Sequence, residues 1–191
     1  MTGALEGIRI QPVDPGQAST EVAATLAGFG PSGTSPFFRT MANNSVVLPL
    51  WGRLVGGLLN ATLPARDREL LILRTAHHCR AAYPWAAHER IGREAGLSEE
   101  ELARIRQDDH SEWGEHDAAL LTAADELHCD ARISDQTWDR LRTLLNTEQM
   151  VEVPVVVGFY HLNAFAANTL DVGVEAEPGM ARNETTKPGR R

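Results

Sequence analysis

The sequence predicts an all-α protein, on three observations. Apolar residues recur at three- and four-residue spacing through most of the chain. Cap-type residues, prolines and glycines fall where those runs start and stop. The one β-branched stretch that could be a strand, Val153–Val157, continues into Phe159, Leu162, Phe165 and Ala166, which is helical spacing.

Taken in order, Asp14-Pro15 opens a helix through Thr20–Phe29, and Gly30-Pro31 closes it. A turn over Gly30–Pro36 leads into a short helix, Phe37–Asn44. The next helix, Val46–Asn60, carries Val47, Leu50, Leu54 and Leu58, with Pro49 in its first turn, where a missing N–H costs nothing. Gly52, Gly56 and Gly57 inside it read as points of close helix packing. Pro64 suits the first turn of a long helix reaching Cys79. Tyr83–Ala95 follows, with Pro84 in its first turn and Gly96 ending it. Ser98 and Glu101 match a capping box for a helix through Gln107. After a polar loop at Asp108–Gly114, Glu115–Asp130 places Ala119, Leu120, Ala123 and Leu127 on one stripe. Ser134 and Thr147 read as caps of two last helices, Ser134–Leu145 and Thr147–Leu170. The chain therefore reads as one domain over 1–171 and a mobile Gly-, Pro- and charge-rich tail over 172–191.

Composition narrows the function. A chain of 191 residues can bury a core without disulfides or metals to staple it. The net charge of −8, with scattered basic residues, disfavours nucleic acid as a partner. The single lysine, Lys187, lies in the expected tail, which argues against a Schiff-base or phosphate-loop lysine. Stretches such as Val153–Tyr160 are too short to span a bilayer, so no membrane partner is expected. The first residues lack the basic and apolar segments of a secretory signal, so the expected location is cytoplasmic. Cys79 and Cys129 read as two reduced, buried thiols.

The residues that could carry chemistry lie mainly in RELLILRTAHHCRAAYPWAAHERIGREAGL, Arg68–Leu97. Glu69 shares a helix face with Ile72, Leu73 and Ala76, which predicts a carboxylate at least partly buried. Pairing with Arg66, Arg68 or Arg74, or helping to cap its own helix, is the plainer account of it. His88 sits among Pro84, Trp85, Ile91 and Gly92, and an imidazole there can serve as acid or base near neutral pH. His161 repeats the arrangement on the last helix, with Tyr160 turned about 100° away on an ideal helix. His77 and His78 adjoin Cys79, but neighbouring helical residues point apart. His110, Glu112 and His116 lack the HExxH pattern. No metal is expected.

With Tyr83 and Trp85 between them, Glu69 and His88 resemble the core of the carboxymuconolactone decarboxylase family, which includes the alkyl hydroperoxidase D proteins. DAALLTAADELHCDARISDQTW and VGFYHLNAFAANTL resemble its C-terminal half, and the likeness covers roughly Phe37–Asp171. The resemblance implies an alkyl hydroperoxidase D-like helical bundle that assembles as a homotrimer or hexamer. Its peroxidase members use a Glu, a CxxC pair and a His. Glu69 and His88 match the first and last, whereas Ala81 and Pro84 stand at the cysteine positions. Without those thiols the peroxide route has no nucleophile.

The decarboxylase members are the closer analogy, because the substrate itself accepts the electrons and no cofactor is required. By that resemblance His88 is the proton donor and Glu69 orients it. His161, Tyr83, Trp85, Arg74 and Trp51 are expected to bind a small-molecule substrate. The expected protein is a cofactor-independent lyase-type enzyme acting on a small lactone or enolisable cyclic acid. The alternatives are a thiol-dependent hydroperoxidase-like redox protein, using Cys79, and a non-catalytic oligomeric ligand-binding protein.

Overall fold

A computed structural model describes residues 9–172; the first eight residues and nearly all of the expected tail lie outside them. Among the described residues there are nine α-helices and one 3₁₀ helix, and no strand. They are α1 (Thr20–Gly28), the 3₁₀ helix (Gly30–Thr34), α2 (Pro36–Met41), α3 (Val47–Leu59) and α4 (Ala65–His78). After these come α5 (Ala82–Glu94), α6 (Glu99–Arg104), α7 (Glu115–Asp130), α8 (Asp135–Leu144) and α9 (Thr147–Thr169).

The caps explain most boundaries. Ser98 accepts from the Glu101 amide, and the Glu101 side chain accepts from the Ser98 amide, so α6 starts with a reciprocal pair. Ser134 caps α8 through the Thr137 amide. The cap of α9 is Asn146, paired with Gln149, rather than Thr147. The first helix starts at Ser19, five residues after Asp14, because Ser19 accepts from Val22. Gly96 takes φ +100° and closes α5: its amide reaches Arg93 O, and Leu97 reaches Gly92 O. The end of α4 uses the same motif without a glycine. Arg80 turns left-handed at φ +50°, and Ala81 N donates to Ala76 O at 2.9 Å. Gly52 meets the expectation of close packing, since a Cβ there would lie 2.7 Å from Phe29. Gly56 and Gly57 face open space.

Helix α4 is the centre of the bundle and packs against α5, α7 and α9. Every residue from Asp67 to Ala76 is buried, including four charged ones. Burying charge is costly unless it is paired, and here it is. Asp67 meets His116 at 2.6 Å, Glu69 meets His88 and Arg68, and Arg74 meets Asp125. Around this helix the core is apolar, from Leu70, Leu71, Ile72 and Leu73 of α4 to Leu120 and Leu121 of α7 and Val153 and Val156 of α9.

Helix α9 is long and apolar enough, by composition, to cross a membrane. It packs against α4, α5 and α7 and carries Pro154 in its interior, as a core helix of this bundle. Its outer side nevertheless exposes Val151, Val155, Leu162 and Phe165, and α3 exposes Val47, Leu50, Leu54 and Leu59. The expectation of two buried thiols is corrected: both cysteines are free, but Cys79 is only half-buried and Cys129 is exposed.

Candidate active site

Three helices bring together a hydrogen-bonded line of ionisable groups. Glu69, on α4, has no exposed surface. Its Oε2 lies 2.7 Å from Nδ1 of His88 on α5. The other imidazole nitrogen, Nε2, lies 2.9 Å from the hydroxyl of Tyr160 on α9. The Tyr160 ring stands edge-on to the imidazole, with centroids 4.8 Å apart. A carboxylate accepts only, so the proton on this side of the ring sits on Nδ1, and Nε2 is free to accept from the phenol.

Two features tune this line. Burial, reinforced by the nearby Glu69 charge, pushes the Tyr160 phenol far above its ordinary range. The Arg68 guanidinium offers the compensating charge, with Nε 3.5 Å from Glu69 Oε1. Neither of those two atoms makes a hydrogen bond among the described residues. Arg66, one of the three arginines expected as partners of Glu69, turns to Asp117 and Glu101 instead.

An aromatic wall leads up to Tyr160. Trp51 packs on Phe159 at 5.0 Å, and Phe159 on Tyr160 at 5.4 Å. Phe37 joins Trp51 to Tyr83, stacking on the latter at 5.0 Å. Tyr83 shares a hydrogen bond of 2.9 Å with Ser35 and lies close enough to Tyr160 to help raise its pKa. Trp51 and Tyr83 are thus gathered with Glu69 and His88.

Residues 47–126, which include both Glu69 and His88, match the Carboxymuconolactone decarboxylase family. The helical bundle is alkyl hydroperoxidase D-like, and solved structures share it. One is an Agrobacterium tumefaciens protein of unknown function, described as a putative antioxidant defence protein AhpD. It is 20% identical, with a TM-score of 0.66, over 71% of this chain and 94% of that one. A second is the debrominase Bmp8, as a Cys-to-Ala variant in complex with 2,3,4-tribromopyrrole. It is 15% identical, with a TM-score of 0.75, over 88% of this chain and 92% of that one. A third is an uncharacterised peroxidase-related protein from Silicibacter sp. TM1040. It is 15% identical, with a TM-score of 0.72, over 91% and 94% of the two chains. At such identities the likeness is one of fold. No curated protein matches the sequence.

Three of the residues expected to contact substrate lie away from this line. Arg74 is 1% exposed and commits its guanidinium to Asp125, Asp108 and the carbonyls of Ile105 and Gln107. It is a structural clamp. Burial alone would raise the Asp125 carboxyl, but hydrogen bonds from His110, His78 and Arg74 outweigh it and hold the group well below the carboxylate range. Trp85 turns to Arg106, whose guanidinium lies 4.1 Å above its ring, and to His77. His161 turns to His128 and the Val157 carbonyl.

Tyr160, not His161, meets His88, and Arg68, not Arg74, lies beside Glu69. The signal for Tyr160 was present: Val153, Val156, Val157, Asn163, Ala164 and Ala167 lie three, four or seven residues away and are all buried.

Proposed function

We propose that this protein is a cofactor-independent, lyase-type enzyme. It acts by general acid–base chemistry on a small lactone or enolisable cyclic acid. The supporting observation is the continuous Glu69–His88–Tyr160 hydrogen-bonded line, with Glu69 fully buried. Residues at the family's cysteine positions, Ala81 and Pro84, supply no thiol.

The line switches between two protonation states. With His88 neutral, Tyr160 donates to Nε2. With His88 an imidazolium, Nε2–H donates to the phenol oxygen, and the phenolic hydrogen is released for a substrate oxygen. Glu69 stabilises the second state by pairing with the cation on Nδ1. Its burial makes that pairing stronger than it would be in water.

In a decarboxylation, the bond to the carboxylate carbon breaks and carbon dioxide leaves. The electron pair spreads into the unsaturated lactone, where the Tyr160 hydroxyl stabilises the developing oxyanion. The Tyr160 hydroxyl then delivers its proton to carbon and is reprotonated from Nε2–H of the His88 imidazolium, and the charge balances: an anionic acid and one proton become a neutral lactone and carbon dioxide. Arg68 is the guanidinium nearest this line and offers a counter-charge to the substrate carboxylate.

We further propose that the protein self-associates through the exposed apolar faces of α3 and α9. The test of the function is a panel of unsaturated lactone acids, beginning with carboxymuconolactones, assayed for carbon dioxide release and for isomerisation. Turnover by the wild type, lost in Glu69→Gln and His88→Ala, supports the reading. Turnover that both variants keep in full overturns it. Peroxide reduction lost on replacing Cys79 would favour the thiol-dependent alternative.

A further inference from the structure

A second cluster of ionisable side chains lies outside this line, where the end of α4 meets α7 and α9. Cys79, His128 and His161 converge there, and their ligand-type atoms all lie within 4.8 Å of one another. They come from positions far apart in sequence, so helix geometry alone does not explain the convergence.

Each member is held from behind. His161 donates from Nδ1 to the Val157 carbonyl at 2.9 Å, which leaves Nε2 as a bare lone pair. That lone pair faces Nδ1 of His128 at 2.9 Å. A backbone carbonyl fixing the far nitrogen is what a ligating histidine requires. The His128 ring stacks with two others, His78 at 4.6 Å and His161 at 5.2 Å. His78 is itself held by Asp125, with Nε2 2.6 Å from Oδ1. The Cys79 backbone is pinned on both sides: its amide donates to Thr75 O at 3.0 Å, and its carbonyl accepts from Asn168 Nδ2 at 2.9 Å.

We propose that Cys79, His128 and His161 bind one thiophilic divalent metal ion of the zinc(II) class, which ties α4 to α7 and α9. One thiolate and two imidazoles make a three-ligand set with a fourth position left for solvent or a small ligand. A tetrahedral ion with N and S bonds of about 2.0–2.3 Å holds such atoms about 3.3–3.6 Å apart. The two nitrogens must open by a few tenths of an ångström, and the sulfur must close by at most about 1.2 Å, both within side-chain rotation. On binding, the Cys79 thiol proton passes to solvent as the Sγ–metal bond forms. The soft sulfur selects against magnesium and calcium. The expectation of no metal rested on His77–His78 and on the 110–116 loop; these three residues form a different set.

The test uses the full chain, stripped with a chelator and titrated anaerobically with cobalt(II). The expected result is saturation at one equivalent per chain, with a thiolate-to-cobalt charge-transfer band that zinc(II) abolishes. Cys79→Ser removes the band. His128→Gln and His161→Gln weaken binding at least as much as the roughly 10–100-fold lost with an outer-shell partner. Cys129→Ser, an exposed position, keeps both band and affinity. Circular dichroism checks that each variant is folded, and His128→Gln, at a partly exposed position, gives a second reading if Cys79→Ser unfolds. No saturation at one equivalent, or unchanged affinity in folded Cys79→Ser and His128→Gln, overturns the proposal.

Discussion

Replacing His88 with alanine should cost more stability than an ordinary half-buried contact. Glu69 has no exposed surface, and the imidazole 2.7 Å away is its sole hydrogen-bond partner among the described residues. His88→Ala leaves a buried carboxylate facing only the Arg68 Nε at 3.5 Å. Breaking one side of a buried ionic pair costs about 3–5 kcal/mol. Glu69→Gln keeps size and an acceptor but removes the charge, so it costs about 1.5–3 kcal/mol, the worth of a charge-assisted hydrogen bond. In the double variant no carboxylate is stranded. Its loss should therefore fall short of the sum by about 1–3 kcal/mol, the range for directly coupled residues. Urea unfolding of the four proteins measures this cycle. Additivity to within about 0.5 kcal/mol, the expectation for independent sites, would refute the claim that the two groups form one buried unit.

Other expectations follow from the same geometry. Tyr160 is neutral when folded, so its contribution is intact below the ordinary phenol pKa of about 10 and is lost as pH rises above it. An alkaline absorbance titration, wild type minus Tyr160→Phe, should show no phenolate from Tyr160 until the protein unfolds. Asp125 has the opposite sign: its depressed pKa stabilises the fold above about pH 4 and ceases to as pH falls further. Wild type should lose stability more steeply below that pH than Asp125→Asn does, as followed by urea unfolding at stepped pH. Gly56→Ala, with open space at its Cβ, should stabilise α3 by about 0.5–1 kcal/mol, whereas Gly52→Ala, against Phe29, should lose that gain. Light scattering should report an assembly larger than the 20.9 kDa chain, and charged substitutions at Leu54 and Phe165 should reduce it.

Most helices were legible because their signals are local. The Ser98–Glu101 box, the Ser134 cap and Gly96 each act within a few residues of themselves. Ends formed by non-glycine residues were not: Arg80, Ala131 and Asp171 all adopt positive φ, which no sequence pattern announces. Glu69 and His88 were legible as buried polar residues at helical spacing. Tyr160 was harder, because α9 is apolar on nearly every side and its rotational phase is weakly marked. The choice between Tyr160 and His161 is set by packing against α4 and α5. The fate of Arg74 depends on Asp125 and the carbonyls of Ile105 and Gln107, partners that only the tertiary fold supplies. The Cys79–His128–His161 convergence is hidden for the same reason.

The central claim is that His88 moves the proton in the reaction. Its most direct measurement is kcat/KM for His88→Ala against wild type, on the lactone acid turned over best. The account predicts a fall of about 10²–10⁴-fold, the usual worth of a positioned acid or base. A folded His88→Ala protein that keeps kcat/KM within about tenfold of wild type, short of that range, would contradict it.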